Sequence, residues 1–173
     1  MISIITLVLI SFSLIAYAED YNLVSGEATY TVKHTLKKVQ GTSKEVKGKI
    51  QCKEQLCQFL LAIKVDTFLS SDSNRDLNMQ TTLESSKYPV AVAKGEFNLK
   101  EWNQAKLVIS AEVDFHGIKK QYTMTLINDV SGMQKTDLVL DLEAHKIERP
   151  SLFTMKIENT VPVHFKLQWK KVD

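Results

Sequence analysis

The sequence holds few of the residues that mark unusual protein classes. Its 173 residues include only 6 glycines, 3 prolines and 2 cysteines, and this composition excludes a collagen-like chain. A hydrophobic share of 44% and a charged share of 24% exclude a disordered chain and a multispan membrane protein. Neither sign of charge dominates, since 22 Lys and Arg face 20 Asp and Glu. Because phosphate binding needs concentrated basic charge, nucleic acid is excluded as the main partner.

The chain begins with an apolar segment. Residues 2–15 are interrupted only by serine and threonine, and Ala16-Tyr17-Ala18 follows them. The run is shorter than the ~20 residues of a membrane span and ends in a small-x-small site, which is typical of a secretory signal peptide. We predict a signal peptide over residues 1–18, cleaved after Ala18, one domain over residues 19–173, and a periplasmic location. An uncleaved anchor is the alternative, because no Lys or Arg precedes the run.

Four residues separate the two cysteines, Cys52 and Cys57. An exported chain meets oxidising conditions, so we predict a disulfide across a tight hairpin. Closing so short a loop contributes about 2 kcal/mol in the chain-entropy model. The alternatives are a redox pair, which is more typically C-x-x-C, and a zinc site, which needs two further ligands.

Apolar residues recur with a period of two along most of the chain, which predicts β-strands with one buried face. The eight strand candidates cover residues 27–36, 45–51, 59–66, 90–99, 107–115, 118–126, 137–144 and 161–170.

The connections are of three kinds. His116-Gly117 predicts a two-residue hairpin turn, with glycine supplying a positive φ, and Lys53 to Leu56 predicts a second hairpin. Asn74 to Leu83 predicts a short helix, with Ser73 and Asp76 resembling a capping box. Pro150 interrupts any ladder, so residues 146–159 predict a loop or helical turn, followed by a short strand.

Eight such strands with one apolar face form either a sandwich or a closed barrel, and long strands with short turns favour a meander barrel. The residues alone do not decide between a filled and a hollow interior.

Five short motifs occur in a recognisable order. They are Tyr30–His34 with Val39-Gln40-Gly41, Val65-Asp66-Thr67 with Asn74–Leu77, Lys87-Tyr88-Pro89, Val113–Lys120, and Glu148–Leu152 with Val161–Leu167. Together they resemble the YceI-like family of exported lipid-binding proteins. Asp114 and Lys119 depart from the hydroxyl-bearing residues usual in the family's hairpin, and the cysteine pair is not a family hallmark.

The resemblance implies an all-β fold, an eight-stranded antiparallel lipocalin-like barrel with a short helix between strands 3 and 4 and a long apolar tunnel. It implies a polyisoprenoid partner such as a quinone or prenyl lipid, or another long-chain amphiphile, and no required cofactor. The expected lipid-binding residues are Tyr30, Val32, His34, Phe59, Leu61, Ile63, Phe97, Ile109, Val113, Tyr122, Met124, Leu140, Phe165 and Leu167. The expected cations at the tunnel mouth, which would meet a headgroup, are Arg75, Lys94 and Arg149.

Other interpretations stay open. Arg75 can instead pair with Asp76 or another local carboxylate and anchor the helix to the barrel, and an inward His34 can be a hydrogen-bonded core residue. We expect no enzyme and no metal site, since catalytic and phosphate-binding motifs are missing and the other histidines show no metal spacing. The alternatives are an enzyme acting on a lipid through His34 and Arg75, or a filled barrel that serves stress or assembly. Transient membrane contact and a homodimer are also open.

Overall fold

A computed structural model describes residues 18–34, 37–152 and 155–172. The segment expected to be the signal peptide therefore lies, except for Ala18, outside the described residues. The strands are β1 Ala18–His34, β2 Lys37–Ser43, β3 Lys47–Lys53, β4 Leu56–Lys64, β5 Val90–Asn98, β6 Lys106–Phe115, β7 Ile118–Asn128, β8 Met133–Asp141, β9 Ser151–Leu152, β10 Met155–Lys156 and β11 Thr160–Lys171. The α-helix is α1 Ser73–Thr82, and short 3₁₀ turns cover Val65–Thr67, Leu99–Glu101 and Glu143–His145.

The main sheet closes on itself. Its strand order is β11-β8-β7-β6-β5-β4-β3-β1-β2, and β1 also pairs with β11. The long β1 pairs with β3 through residues 18–22 and with β2 through residues 28–34, so β2 and β3 share one position in the barrel. The result is a closed eight-stranded antiparallel barrel, which confirms the predicted fold and excludes the sandwich.

The strand β1 is longer than predicted because a bulge divides it. Leu23 pairs with Trp169 and Ser25 with Gln168, so Val24 is the extra residue, and its side chain is exposed. A bulge shifts the phase of alternation by one residue. Leu23 and Ala28 therefore both contribute to the core although their sequence positions have opposite parity.

Both predicted hairpins form. Cys52 pairs with Cys57 in the register of β3 and β4, their Cα atoms are 3.9 Å apart, and the predicted disulfide joins them. In the β6–β7 turn, both His116 and Gly117 have positive φ values, 54° and 71°. Two consecutive left-handed residues match the right-handed twist of the flanking strands, and so they fix the register of the hairpin.

The predicted helix is confirmed, but its predicted cap is wrong. Asp72 is the N-cap, and its side chain accepts a hydrogen bond of 3.1 Å from the backbone N–H of Arg75. The carboxylate of Asp76 is buried and instead accepts from the backbone N–H of Ser70 at 2.9 Å. The helix begins one residue earlier than the capping box implied, because Asp72 reaches the third helical N–H by itself.

The chain between β8 and β11 differs from its prediction at two points. The seventh predicted strand extends to Ala144, whereas β8 ends at Asp141, since Leu142 turns into the right-handed helical region and starts the Glu143–His145 turn. Beyond Pro150, in place of the expected short strand, β9 and β10 pair as two antiparallel strands of two residues each. Neither element belongs to the barrel wall.

Candidate functional site

The upper half of the barrel, where α1 lies, encloses a cavity of about 290 Å³. Its walls are inward side chains of the strands, whose alternation places one apolar residue at every second position. The lining from the strands includes Ile63, Val113, Leu140, Val163 and Phe165. Such a surface offers no directional hydrogen bonds, so it suits a hydrocarbon.

Helix α1 and the connection between β8 and β11 lie at the mouth of this cavity. Met79 and Leu83 supply apolar contacts from the helix side, and Ile147 and Ile157 supply them from the chain between β8 and β11. The polar lining residues on the helix are Arg75, Asn78 and Thr82. The polar groups of the cavity are thus concentrated at its mouth.

Arg75 is the one expected mouth cation that lines the cavity. Its guanidinium lies 3.5 Å from the carboxylate of Asp72, not beside Asp76, and the side chain is half-exposed. The pairing with a local carboxylate is therefore confirmed, but the carboxylate is Asp72, because Asp76 is engaged by the backbone of Ser70. An exposed ion pair of this kind is weak, so the guanidinium can exchange Asp72 for an anionic or polar headgroup at little cost.

The other two expected cations lie elsewhere. Lys94 is exposed on the outer face of β5, 3.2 Å from Glu112 of β6, and does not line the cavity. Arg149 lies 2.9 Å from Glu143 and donates a hydrogen bond of 3.1 Å to the carbonyl oxygen of Ile157. Arg149 therefore links the ends of the segment that flanks the mouth.

The lower half of the barrel is mostly filled, although the family resemblance implied one long tunnel. The rings of Phe97 and Trp102 stack with centroids 5.0 Å apart, and Trp102 meets Trp169 edge-on at 6.2 Å. A cavity of about 20 Å³ remains there, lined also by Phe59 and Met124. The two tryptophans thus lie in the lower half, whereas neither of them lines the upper cavity.

The structure divides the expected lipid-binding residues between these two spaces. Tyr30, Val32, Leu61, Ile63, Val113, Leu140 and Phe165 line the upper cavity. Phe59, Leu61, Phe97, Ile109, Met124 and Leu167 line the lower one. The side chain of His34 lies outside the described residues.

Tyr122 lines neither cavity and belongs to a buried polar cluster. Its hydroxyl donates a hydrogen bond of 2.8 Å to Nε2 of His145, and the two rings are parallel. Nδ1 of His145 donates to the carbonyl oxygen of Phe115 at 2.9 Å. Burial of this histidine lowers its pKa, so the neutral form is favoured. Because both ring nitrogens are engaged, the cluster is structural and offers no free base.

Several lining residues were not among those expected from the sequence. Phe115, Leu138 and Val163 line the upper cavity and lie on the alternating apolar faces, so alternation alone could have identified them. Met79 and Ile147 also line it but lie in the helix and in the β8–β11 connection. No periodic signal in the sequence points to those two.

Two absences bear on other kinds of site. Within residues 18–34, 37–152 and 155–172, no group of three or more His, Cys, Asp and Glu residues could hold a metal ion. In the same part of the chain, no helix combines the length and apolar character needed to cross a membrane.

Comparison with known proteins agrees with the fold. The model of the YceI-like domain matches residues 21–169. The chain belongs to the YceI-like domain family. This confirms the resemblance carried by the five motifs, and the match to the YceI-like domain covers nearly all of the barrel, whose strands span residues 18–171. A search of curated proteins finds no match.

Three solved structures resemble this YceI-like domain at low sequence identity. A polyisoprenoid binding domain from Saccharophagus degradans, implicated in plant cell wall breakdown, has a TM-score of 0.70 at 17% identity, covering 88% of this chain and 98% of that chain. BcnA of Burkholderia cenocepacia has a TM-score of 0.68 at 14% identity, covering 84% and 96%. A mutant CJ YCEI protein has a TM-score of 0.55 at 12% identity, covering 82% and 90%. These likenesses establish the shared fold.

Proposed function

We propose that this YceI-like domain binds a long-chain lipid, a polyisoprenoid such as a quinone or prenyl lipid or a similar amphiphile, and carries or sequesters it. The observation that carries the proposal is the apolar cavity of about 290 Å³ in the upper barrel. The polyisoprenoid binding domain of similar fold supports the choice of ligand class.

Burial of hydrocarbon supplies the binding energy. Each CH₂ group removed from water contributes about 0.8 kcal/mol. A cavity of about 150 Å³ holds one benzene molecule, so the upper cavity holds on the order of a dozen carbon atoms. A longer isoprenoid therefore inserts its tail and leaves its remainder and its headgroup at the mouth, beside Arg75.

The composition of the lining favours binding over catalysis. Among the described residues, the upper cavity is lined by no carboxylate, histidine, cysteine or lysine, and Arg75 is its one charged group. A general base or nucleophile would have to come from such groups. The proposed role is accordingly non-catalytic.

We further propose that the protein acts in the periplasm and touches a membrane when it exchanges lipid. The disulfide between Cys52 and Cys57 supports an oxidising compartment. Lys33 and Lys38 face each other across the β1–β2 hairpin, at the end of the barrel that holds the cavity, and both are exposed. Like charges directly opposite each other are unfavourable unless an anionic surface neutralises them, and an anionic bilayer attracts each such lysine by about 1 kcal/mol.

The direct test is to extract purified protein with organic solvent and identify the extract by mass spectrometry, then to measure uptake of added quinone and prenyl alcohol by the stripped protein. We expect a co-purified lipid or saturable uptake at a ratio of about one per chain. A protein that yields no lipid in several preparations and takes up neither probe would overturn the proposal.

A further inference from the structure

The two cavities of the barrel meet at one side chain. Leu61 of β4 lines both the upper cavity of about 290 Å³ and the lower cavity of about 20 Å³. Along the same strand, Ile63 lines only the upper cavity and Phe59 only the lower one. The side chain of Leu61 therefore forms the floor of the upper cavity and separates it from the lower one.

The neighbours of Leu61 are small, so the floor depends on this side chain. In the register of the sheet, Leu61 lies opposite Gly48 of β3 and opposite Ala93 of β5. A Cβ atom at Gly48 would lie 2.8 Å from Cδ2 of Leu61 and 2.8 Å from Cη2 of Trp169. The space left by the missing side chain of Gly48 is thus occupied from one side by Leu61 and from the other by Trp169.

From this arrangement we infer that Leu61 determines the length of hydrocarbon chain that the protein holds. The inference rests on the proposed lipid-binding function and assigns its length limit to one residue. The polar lining residues of α1 are at the mouth, so the chain enters tail first and its terminal methyl group stops at Leu61. Carbon atoms beyond the limit remain outside the cavity and gain nothing from burial.

Shortening Leu61 should move the limit by a definite amount. The substitution Leu61→Ala removes three carbon atoms and joins the two cavities, so the limit should move by about three CH₂ groups. Ala93→Leu adds three carbon atoms beside Leu61 and should shorten the longest hydrocarbon chain that the cavity can bury. Leu107→Ala is the matched control, since Leu107 is equally buried at 4% exposure but lines neither cavity.

The experiment is isothermal titration of wild type and variants with saturated fatty acids from octanoic to octadecanoic acid. For wild type we expect affinity to rise about fourfold with each added CH₂ and then to become constant near a dozen carbon atoms. In Leu61→Ala the constant region should begin about three carbons later, in Ala93→Leu earlier, and in Leu107→Ala at the wild-type length. Circular dichroism melting shows that each variant is folded.

The outcomes separate the two proposals. If wild type shows a limit that neither Leu61→Ala nor Ala93→Leu moves, or if Leu107→Ala moves it equally, the role of Leu61 is overturned and the binding function stands. If wild-type affinity does not depend on chain length, hydrocarbon burial does not drive binding, and the proposed function itself fails. Should Leu61→Ala not fold, Ala93→Leu decides the matter by adding atoms instead of removing them.

Discussion

The hydroxyl of Tyr122 lies 2.8 Å from Nε2 of His145, and this bond joins β7 to the Glu143–His145 turn. Strands β7 and β8 pair only through residues 125–128 and 134–137, so their upper parts are not hydrogen-bonded to each other. The Glu143–His145 turn contacts β7 near this gap. His145, which is fully buried, ties the turn to β6 and β7.

The first prediction concerns the loss of that bond. Tyr122→Phe keeps the ring and leaves Nε2 of His145 buried without its donor, so it should lower the free energy of unfolding by about 1 to 3 kcal/mol. Urea unfolding followed by fluorescence measures it. Tyr88→Phe is a suitable control: Tyr88 is also aromatic, and its ring packs on His116. A Tyr122→Phe protein as stable as wild type would show that the bond contributes nothing.

The second prediction concerns pH. Burial lowers the pKa of His145 below its ordinary value of 6.5, so between the pKa of the folded state and pH 6.5 the unfolded chain binds a proton that the folded chain does not. The contribution of neutral His145 to the free energy of unfolding is therefore fully present above pH 6.5. It decreases as the pH falls from 6.5 towards the pKa of His145 in the folded state. The carboxylate of Asp141, whose pKa is lowered by the N–H of Ala144, titrates in a more acidic range.

We expect His145→Asn, which retains an amide donor for the carbonyl of Phe115, to be less stable at pH 7 and to lose part of the decline below pH 6.5. The measurement is the free energy of urea unfolding across this range. His164→Asn is the control because His164 is exposed and contacts Asp137 on the outer wall. Equal slopes in wild type and His145→Asn would contradict the assignment.

The sequence predicted the wall of the barrel far better than its ends. Period-two alternation depends only on which face of a strand is buried, so it identified β4, β6 and β11 and placed Ile63 and Val113 inward. It missed the first part of β1, before residue 27, because the bulge at Val24 reverses the phase there. It overextended β8 because Leu142 continues the apolar pattern while its backbone leaves the strand.

The site was less predictable for a physical reason. Whether an inward residue lines open space depends on the volumes of residues opposite it, and these come from strands distant in sequence. Leu61 faces Gly48 and Ala93, whereas Phe97 is stacked by Trp102 from a turn. Likewise, whether a cation reaches the mouth depends on where its element lies: Arg75 is on α1 at the mouth, whereas Lys94 is on the outer face of β5.

The third prediction concerns a buried hydroxyl in the lower barrel. Thr136 is 2% exposed, and within the described residues its Oγ1 has no hydrogen-bond partner. Replacing it with a methyl group of the same shape removes the cost of burying an unpaired polar atom, so Thr136→Val should raise stability by about 1 kcal/mol.

The matched control for that change is Thr31→Val. Thr31 is also buried, at 3% exposure, but its Oγ1 accepts a hydrogen bond of 3.0 Å from Nε2 of Gln40. This substitution should lower stability by about 1 kcal/mol, because the Gln40 donor loses its acceptor. Thermal and urea unfolding measure both. If both variants shift in the same direction, the pairing of the hydroxyl does not govern the effect.

The fourth prediction concerns the cavity itself. Val113→Phe adds four carbon atoms to the upper cavity and should displace about the same number of CH₂ groups, weakening the binding of a chain that fills the cavity by about 3 kcal/mol. Val108→Phe on the same strand is the control, since Val108 points outward and is 57% exposed. Titration with dodecanoic acid measures both variants. Equal binding by wild type and Val113→Phe would place the ligand outside this cavity.

The last prediction concerns the membrane. The double substitution Lys33→Glu and Lys38→Glu replaces the facing pair of positive charges on the β1–β2 hairpin with negative ones, so it should weaken binding to anionic vesicles by at least ~2 kcal/mol at low salt. Lys53→Glu with Lys100→Glu changes the net charge equally, on exposed residues that lie outside this hairpin. Co-sedimentation with phosphatidylglycerol vesicles, repeated at high salt, compares the two. If both double variants lose binding equally, net charge and not the hairpin directs the protein to the bilayer. If neither loses it, electrostatic docking through this surface is contradicted, because an attraction between lysines and lipid headgroups cannot survive both charge reversal and screening.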